Sequence, residues 1–80
     1  MEVNIYIVTC LAETFDCNSA ESIPFATIDE ARHFIKMEVE DIIANYGDDY
    51  DSKEIYDDHA EVNYDSEFFN WDISSHTLNI

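Results

Sequence analysis

Residues 48–67, DDYDSKEIYDDHAEVNYDSE, hold nine carboxylates and one lysine, with Tyr50, Tyr56 and Tyr64 set among them. Carboxylates at this density are suited to three kinds of chemistry: coordinating a divalent cation, acting as acid–base pairs, or presenting fixed negative charge to a basic surface. An EF-hand loop needs acidic or amide groups at positions 1, 3 and 5, glycine at 6 and glutamate at 12. Counting from Asp49 puts Asp51 at the third position, Lys53 at the fifth and Glu54 at the sixth, so that pattern is absent. Asp48, Asp49, Asp51, Asp57, Asp58 and His59 offer ligands, but at no spacing that defines a site, and neither a metal nor a cofactor is assigned. Carboxylate pairs are so abundant that none is singled out for acid–base work.

Nucleophilic chemistry fares no better. One glycine in the whole chain cannot build a phosphate-cradling loop. Cys10 sits in the apolar run VNIYIVTC, where the field of an acidic protein holds a thiol protonated. His33, His59 and His76 stand in no motif. Cys10 and Cys17 form no CxxC pattern and read as reduced thiols of a cytoplasmic protein. No enzymatic activity is expected.

The third option has the charge behind it. Nineteen acidic groups face only Arg32, Lys36 and Lys53, a net charge of −16 on 80 residues. Solubility of a small domain needs only about 2–8 units, and the excess destabilises the compact state by self-repulsion. A disordered tether is nevertheless a poor reading. The chain is 46% hydrophobic and 14% aromatic, with a single glycine and a single proline. One folded domain spanning residues 1–80 is expected, with either halophily or a strongly positive partner as the reason for the surplus charge. Nucleic acid and anionic membranes would repel the chain directly. MEVNIYIVTCL lacks the positive start of a signal peptide, and no run approaches a membrane span, so a cytoplasmic location is expected.

The elements that must position these carboxylates follow from periodicity. VNIYIVTC, residues 3–10, reads as a strand covered on both faces. Residues 12–22 read as a loop, and SIPFA, 22–26, as a short strand whose Pro24 suits an edge. Thr27 with Glu30 fits a capping box, and Asp29 and Glu30 suit the positive end of a helix dipole. Ala31, Phe34, Ile35, Val39, Ile42 and Tyr46 then form one apolar stripe, opposite Glu38, Asp41 and Asn45. Gly47 falls where a left-handed C-cap belongs. DDYDSKEIYDD lacks a clean period and reads as a loop with a short helical turn. Ala60, Val62 and Tyr64 alternate with Glu61, Asn63 and Asp65 as a strand with one buried and one acidic face. Asp65-Ser66 is a turn, and Phe69, Trp71 and Ile73 mark the return strand of a hairpin, with SHTLNI extending it past a bulge. The expected fold is therefore α+β. A small antiparallel sheet packs on one helix, in two layers and in the order β-β-α-β-β.

On such a framework residues 1–47 carry a net −7, residues 48–67 a net −8 and residues 68–80 a net −1. A preordered array of carboxylates imitates a phosphate track for lysine and arginine grooves and loses less entropy on binding than a tether. The pool of contact residues is Asp48, Asp49, Asp51, Glu54, Asp57, Asp58, Glu61, Asp65 and Glu67. Tyr50 and Tyr56 serve as anchors, and Phe68 is a further exposed aromatic. Tyr46 and Tyr64 are assigned to the core.

A very short, strongly acidic, aromatic-rich chain with a capped helix on a small sheet resembles phage-encoded inhibitors of bacterial defence, anti-CRISPR and other DNA-mimic proteins among them. The resemblance covers the whole chain but rests on style, without a signature motif that carries residue roles across. It implies a partner that is a basic nucleic-acid-binding protein such as a CRISPR–Cas effector, blocked at its nucleic-acid site. It also implies a bacterial host cytoplasm as the setting. A monomer or weak homodimer is expected, since the charge opposes self-association. Two alternatives stand beside this one. The first is an adaptor or allosteric inhibitor that uses an aromatic patch such as Tyr56 and Phe68, and the second is a divalent-metal-binding protein.

Overall fold

The computed structural model describes residues 1–14 and 18–79. In chain order the elements are β1 (Glu2–Glu13), β2 (Asn18–Phe25), α1 (Ile28–Tyr46), β3 (Ser52–Ile55), β4 (His59–Asn63) and β5 (Phe68–Asn79). The strands make one antiparallel sheet in the order β2-β1-β5-β4-β3. The class is α+β as expected, with a strand more than the expected order contains. The first and last strands lie side by side, paired without interruption from Glu2↔Asn79 to Glu13↔Phe68. The bulge expected before SHTLNI is therefore absent. This ribbon is 12 residues long on each strand, about 40 Å at the usual rise per residue. It makes the molecule 47 Å in its longest dimension, with a radius of gyration of 13.9 Å. Roughly 12 Å would be usual for a chain this size.

Strand alternation sorts the side chains into two faces. The registers put Tyr6, Val8, Cys10 and Ala12 on the same face as Ala60, Val62, Phe69, Trp71 and Ile73. Helix α1 lays Ala31, Ile35 and Val39 onto that face, and these residues close the core around the fully buried Val8 and Val62. The other face carries Val3, Ile5, Ile7 and Leu11 of β1, with no second layer over it among the described residues. The expectation that β1 is covered on both faces is thus corrected. Its sequence is apolar on both sides, but a single 19-residue helix covers only one.

Two polar stretches expected to be loops are strands. Residues 18–22 belong to β2, paired with Leu11, Ala12 and their neighbours. Ser52–Ile55 is the edge strand β3, paired on one side with β4. A short edge strand with lysine and glutamate needs no apolar alternation, because most of its surface is wet.

The helix begins and ends at the expected residues, with the Thr27 half of the capping box formed and the left-handed C-cap expected at Gly47 replaced by another conformation. Thr27 is extended, and its hydroxyl accepts a hydrogen bond of 3.1 Å from the Glu30 backbone. Gly47 donates its N–H to Ile43 at 2.8 Å. It takes φ +98 with ψ 173, a region outside the left-handed helical well and open essentially to glycine alone. Tyr46, expected in the core, is 45% exposed and caps the edge of Tyr64 and Phe69.

Candidate functional site

The carboxylates of residues 48–67 divide between two ends of strand β4. At one end the backbone of Asp51 bonds to Asn63, and Tyr64 bonds to Glu67, which brings the segment after the helix beside the β4–β5 turn. The Tyr64 hydroxyl donates to the Gly47 carbonyl at 2.7 Å and ties the helix C-terminus to the same place. Asp48, Asp49, Asp51 and Asp65 are exposed here, and Glu67 is half-buried. Burial raises the Tyr64 phenol, and the nearby charges of Asp48 and Glu67 raise it further, so these two carboxylates both lie near the ring. Glu13 lies at the same end of the sheet, paired with Phe68 on the uncovered face.

A helix C-terminus is the negative end of a dipole and normally attracts cations. The last turn of α1 carries none, and Asp48 and Asp49 follow it directly. Lys53, on the neighbouring strand, lies over the Tyr50 ring at 5.7 Å. Among the described residues the side-chain ion pairs within 4.0 Å are those of His59 alone. The other described carboxylates, those of this pole included, make no ion pair with a described side chain within that distance.

The other end holds Glu54, Tyr56, Asp57, Asp58 and Glu61, and here the charge is partly compensated. Arg32 Nε donates to the Asp57 carbonyl at 2.9 Å, which docks the β3–β4 turn on the helix. His59 lies on the uncovered sheet face between Glu61, 3.0 Å from Nε2, and Asp72, 2.5 Å from Nδ1. Both ring nitrogens thus face carboxylate oxygens, which only accept, so the geometry calls for the doubly protonated imidazolium. The hydrogen bonds that the ring donates to Asp72 and Glu61 raise the His59 pKa, against a smaller opposing effect of burial. Tyr56 stacks on the ring, with centroids 6.3 Å apart.

The anchors separate in the same way. Tyr56 is 60% exposed. Tyr50 is half-buried, 6.5 Å from the Tyr64 ring, and packs against the core rather than offering itself to a partner. Phe68 is 43% exposed on the uncovered face. It pairs with Asn63, whereas the Tyr56 backbone bonds to His59, so the two aromatics stand at opposite ends of β4 and make no common patch.

Candidate nucleophiles are poorly placed. Burial pushes the Cys10 thiol up to about 11, with Glu38 and Glu21 adding to the effect, which leaves no appreciable thiolate near neutral pH. Cys17 lies outside the described residues. Glu38, expected on the exposed helix face, is half-buried beside Cys10, and burial raises its carboxyl, as do Asp41 and Glu21. Ser74 Oγ lies 3.2 Å from His76 Nε2 in the open, without an acidic residue bonded to the ring. No three His, Cys, Asp or Glu side chains converge to hold a metal among the described residues. Glu61 and Asp72 sit on opposite nitrogens of His59 and cannot share an ion with it. No helix is long and apolar enough to cross a membrane.

The His59 clamp is the feature that sequence reasoning missed. His59 and Glu61 share a face by strand periodicity, but Asp72 joins them only once the β4–β5 register is known. No protein-family model, curated protein or solved structure matches this chain.

Proposed function

We propose that the protein is a non-enzymatic inhibitor of the anti-CRISPR, DNA-mimic kind. It binds the basic nucleic-acid-binding surface of a Cas effector or another nucleic-acid-handling protein in a bacterial cytoplasm and blocks access of nucleic acid. The observation that carries this reading is the acidic pole formed by Asp48, Asp49, Asp51, Asp65 and Glu67. It gathers at a helix C-terminus that lacks basic residues, although like charges there oppose folding. Short turns between paired strands hold part of the pole, so binding orders little of it. A Lys/Arg groove would meet it by long-range steering and charge pairing.

The test is binding to purified Cas effectors across a salt series, with duplex DNA as competitor. Affinity should fall as salt rises, and DNA should displace the protein. Asp48→Lys with Asp65→Lys should weaken binding at least roughly tenfold, about 1.4 kcal/mol. Affinity that ignores salt, or a complex that holds DNA and this protein together, would remove the mimic reading. The adaptor reading would then rest on Phe68 and its diagonal neighbour Leu11, which is 43% exposed on the same face.

A further inference from the structure

Helix α1 has a groove along each flank, and the two differ in the sign of their rims. One, of about 640 Å³, lies between the helix and the end of β2, with Phe25, Phe34 and Met37 as its apolar wall and Asp29, Glu30 and His33 at its edge. The other, of about 410 Å³, lies between the helix and the β3–β4 turn. Its wall is Ile35, Ile55 and Tyr56, and its rim holds Arg32 and Lys36. These are two of the three Lys and Arg residues in the chain, one helical turn apart. Neither forms an ion pair with a carboxylate among the described residues. The volume falls within the usual range for small-molecule sites, which combine apolar walls with a few placed polar groups.

From this we infer that the Arg32–Lys36 groove binds a small amphipathic monocarboxylate, independently of the acidic pole. The carboxylate lies against the two cations and the hydrocarbon against Ile55 and Tyr56, which are 54% and 60% exposed without it. Arg32 is already fixed, since its Nε bonds to the Asp57 carbonyl. Its terminal amines stay available for the fork geometry that suits a carboxylate. Asp57 lines the same groove, so its lining residues sum to one positive charge, which Asp29 and Glu40, a helical turn from Arg32 and Lys36, offset in part. A monoanion neutralises it, whereas a phosphate dianion overshoots. Charges more than about 10 Å away are largely screened at 0.1 M salt, so the acidic pole beyond the far end of the helix adds little repulsion here.

The experiment is a titration of the whole protein with sodium octanoate, followed by amide chemical shifts. Octylammonium and 1-octanol serve as probes of the same chain length. Octanoate should give saturable shifts around Arg32, Ile55 and Tyr56, octylammonium should prefer the Phe25–Met37 groove, and octanol should bind the Arg32–Lys36 groove more weakly than octanoate. Arg32→Gln and Lys36→Gln should each weaken octanoate binding about three- to fivefold, as an exposed charge pair implies. Arg32→Gln also removes the anchor of the β3–β4 turn, so if it unfolds the chain, Lys36→Gln with an unchanged circular dichroism spectrum decides. Equal binding of octanol, shifts confined to the other groove, or octanoate affinity unaffected by Lys36→Gln would each overturn the inference.

Discussion

His59 shows how much one residue can do in a chain so short of cations. Its ring bridges β4 and β5 through Glu61 and Asp72, and Tyr56 lies on it. Glu54 stands opposite Glu61 on the next strand, so the imidazolium bonded to Glu61 offsets part of the repulsion between carboxylates paired across the sheet. Folding raises the His59 pKa above its ordinary 6.5. The stabilisation it gives is therefore complete below that ordinary value and is lost as pH rises through the folded one. His59→Gln should cost most stability near pH 6 and least near pH 9, about the window in which a raised histidine titrates. Urea midpoints of the two proteins across that range make the comparison. A difference that does not shrink as pH rises would mean that His59 acts by shape and not by charge.

The elements differ in how plainly the sequence announces them, and the cause is physical. Thr27 and Gly47 bracket α1 because capping is local chemistry. Ala60, Val62 and Tyr64, like Phe69 and Trp71, show their faces because the core buries each of them. Strand β3 leaves no such trace, since its partners lie on one side and its residues are mostly wet. Register was illegible too, and with it the approach of Asp48 and Glu67 to Tyr64, because periodicity gives a residue its face and not its neighbour. The last turn of α1 is the place where sequence and electrostatics conflict. Asn45 is exposed there, in a turn without a basic residue. Asn45→Lys should stabilise the fold by about 0.5–1 kcal/mol at low ionic strength, and less in high salt, as expected for a cation at a helix C-terminus. The same substitution should weaken capture of a basic partner. Unfolding free energy unmoved at low salt would show that the pole is not under electrostatic strain.

The whole molecule is a thin, elongated sheet with one helix, −16 net charge and a core centred on nine buried residues among those described. A fold of this size leaves a narrow stability margin, so long-range repulsion is a significant fraction of it. Sodium chloride screens that repulsion over the distances that separate the two ends of β4. Raising salt from about 20 mM to about 0.5 M, which shortens the Debye length from roughly 20 Å to roughly 4 Å, should therefore raise the melting temperature. Screening the His59 pairs works against this, but they are two contacts against a field built from the remaining carboxylates. Association with a basic partner should weaken over the same range. The opposite slopes separate the partner reading from the other reason a chain carries such charge. A halophilic protein would be unfolded at the low-salt end and gain its structure only near molar salt. A protein that is folded at both ends, more stable at the higher and more tightly bound to its target at the lower, has its charge for the partner. Thermal melts by circular dichroism, paired with the binding salt series, give both slopes, and a melting temperature that falls with salt would contradict the repulsion on which this account depends.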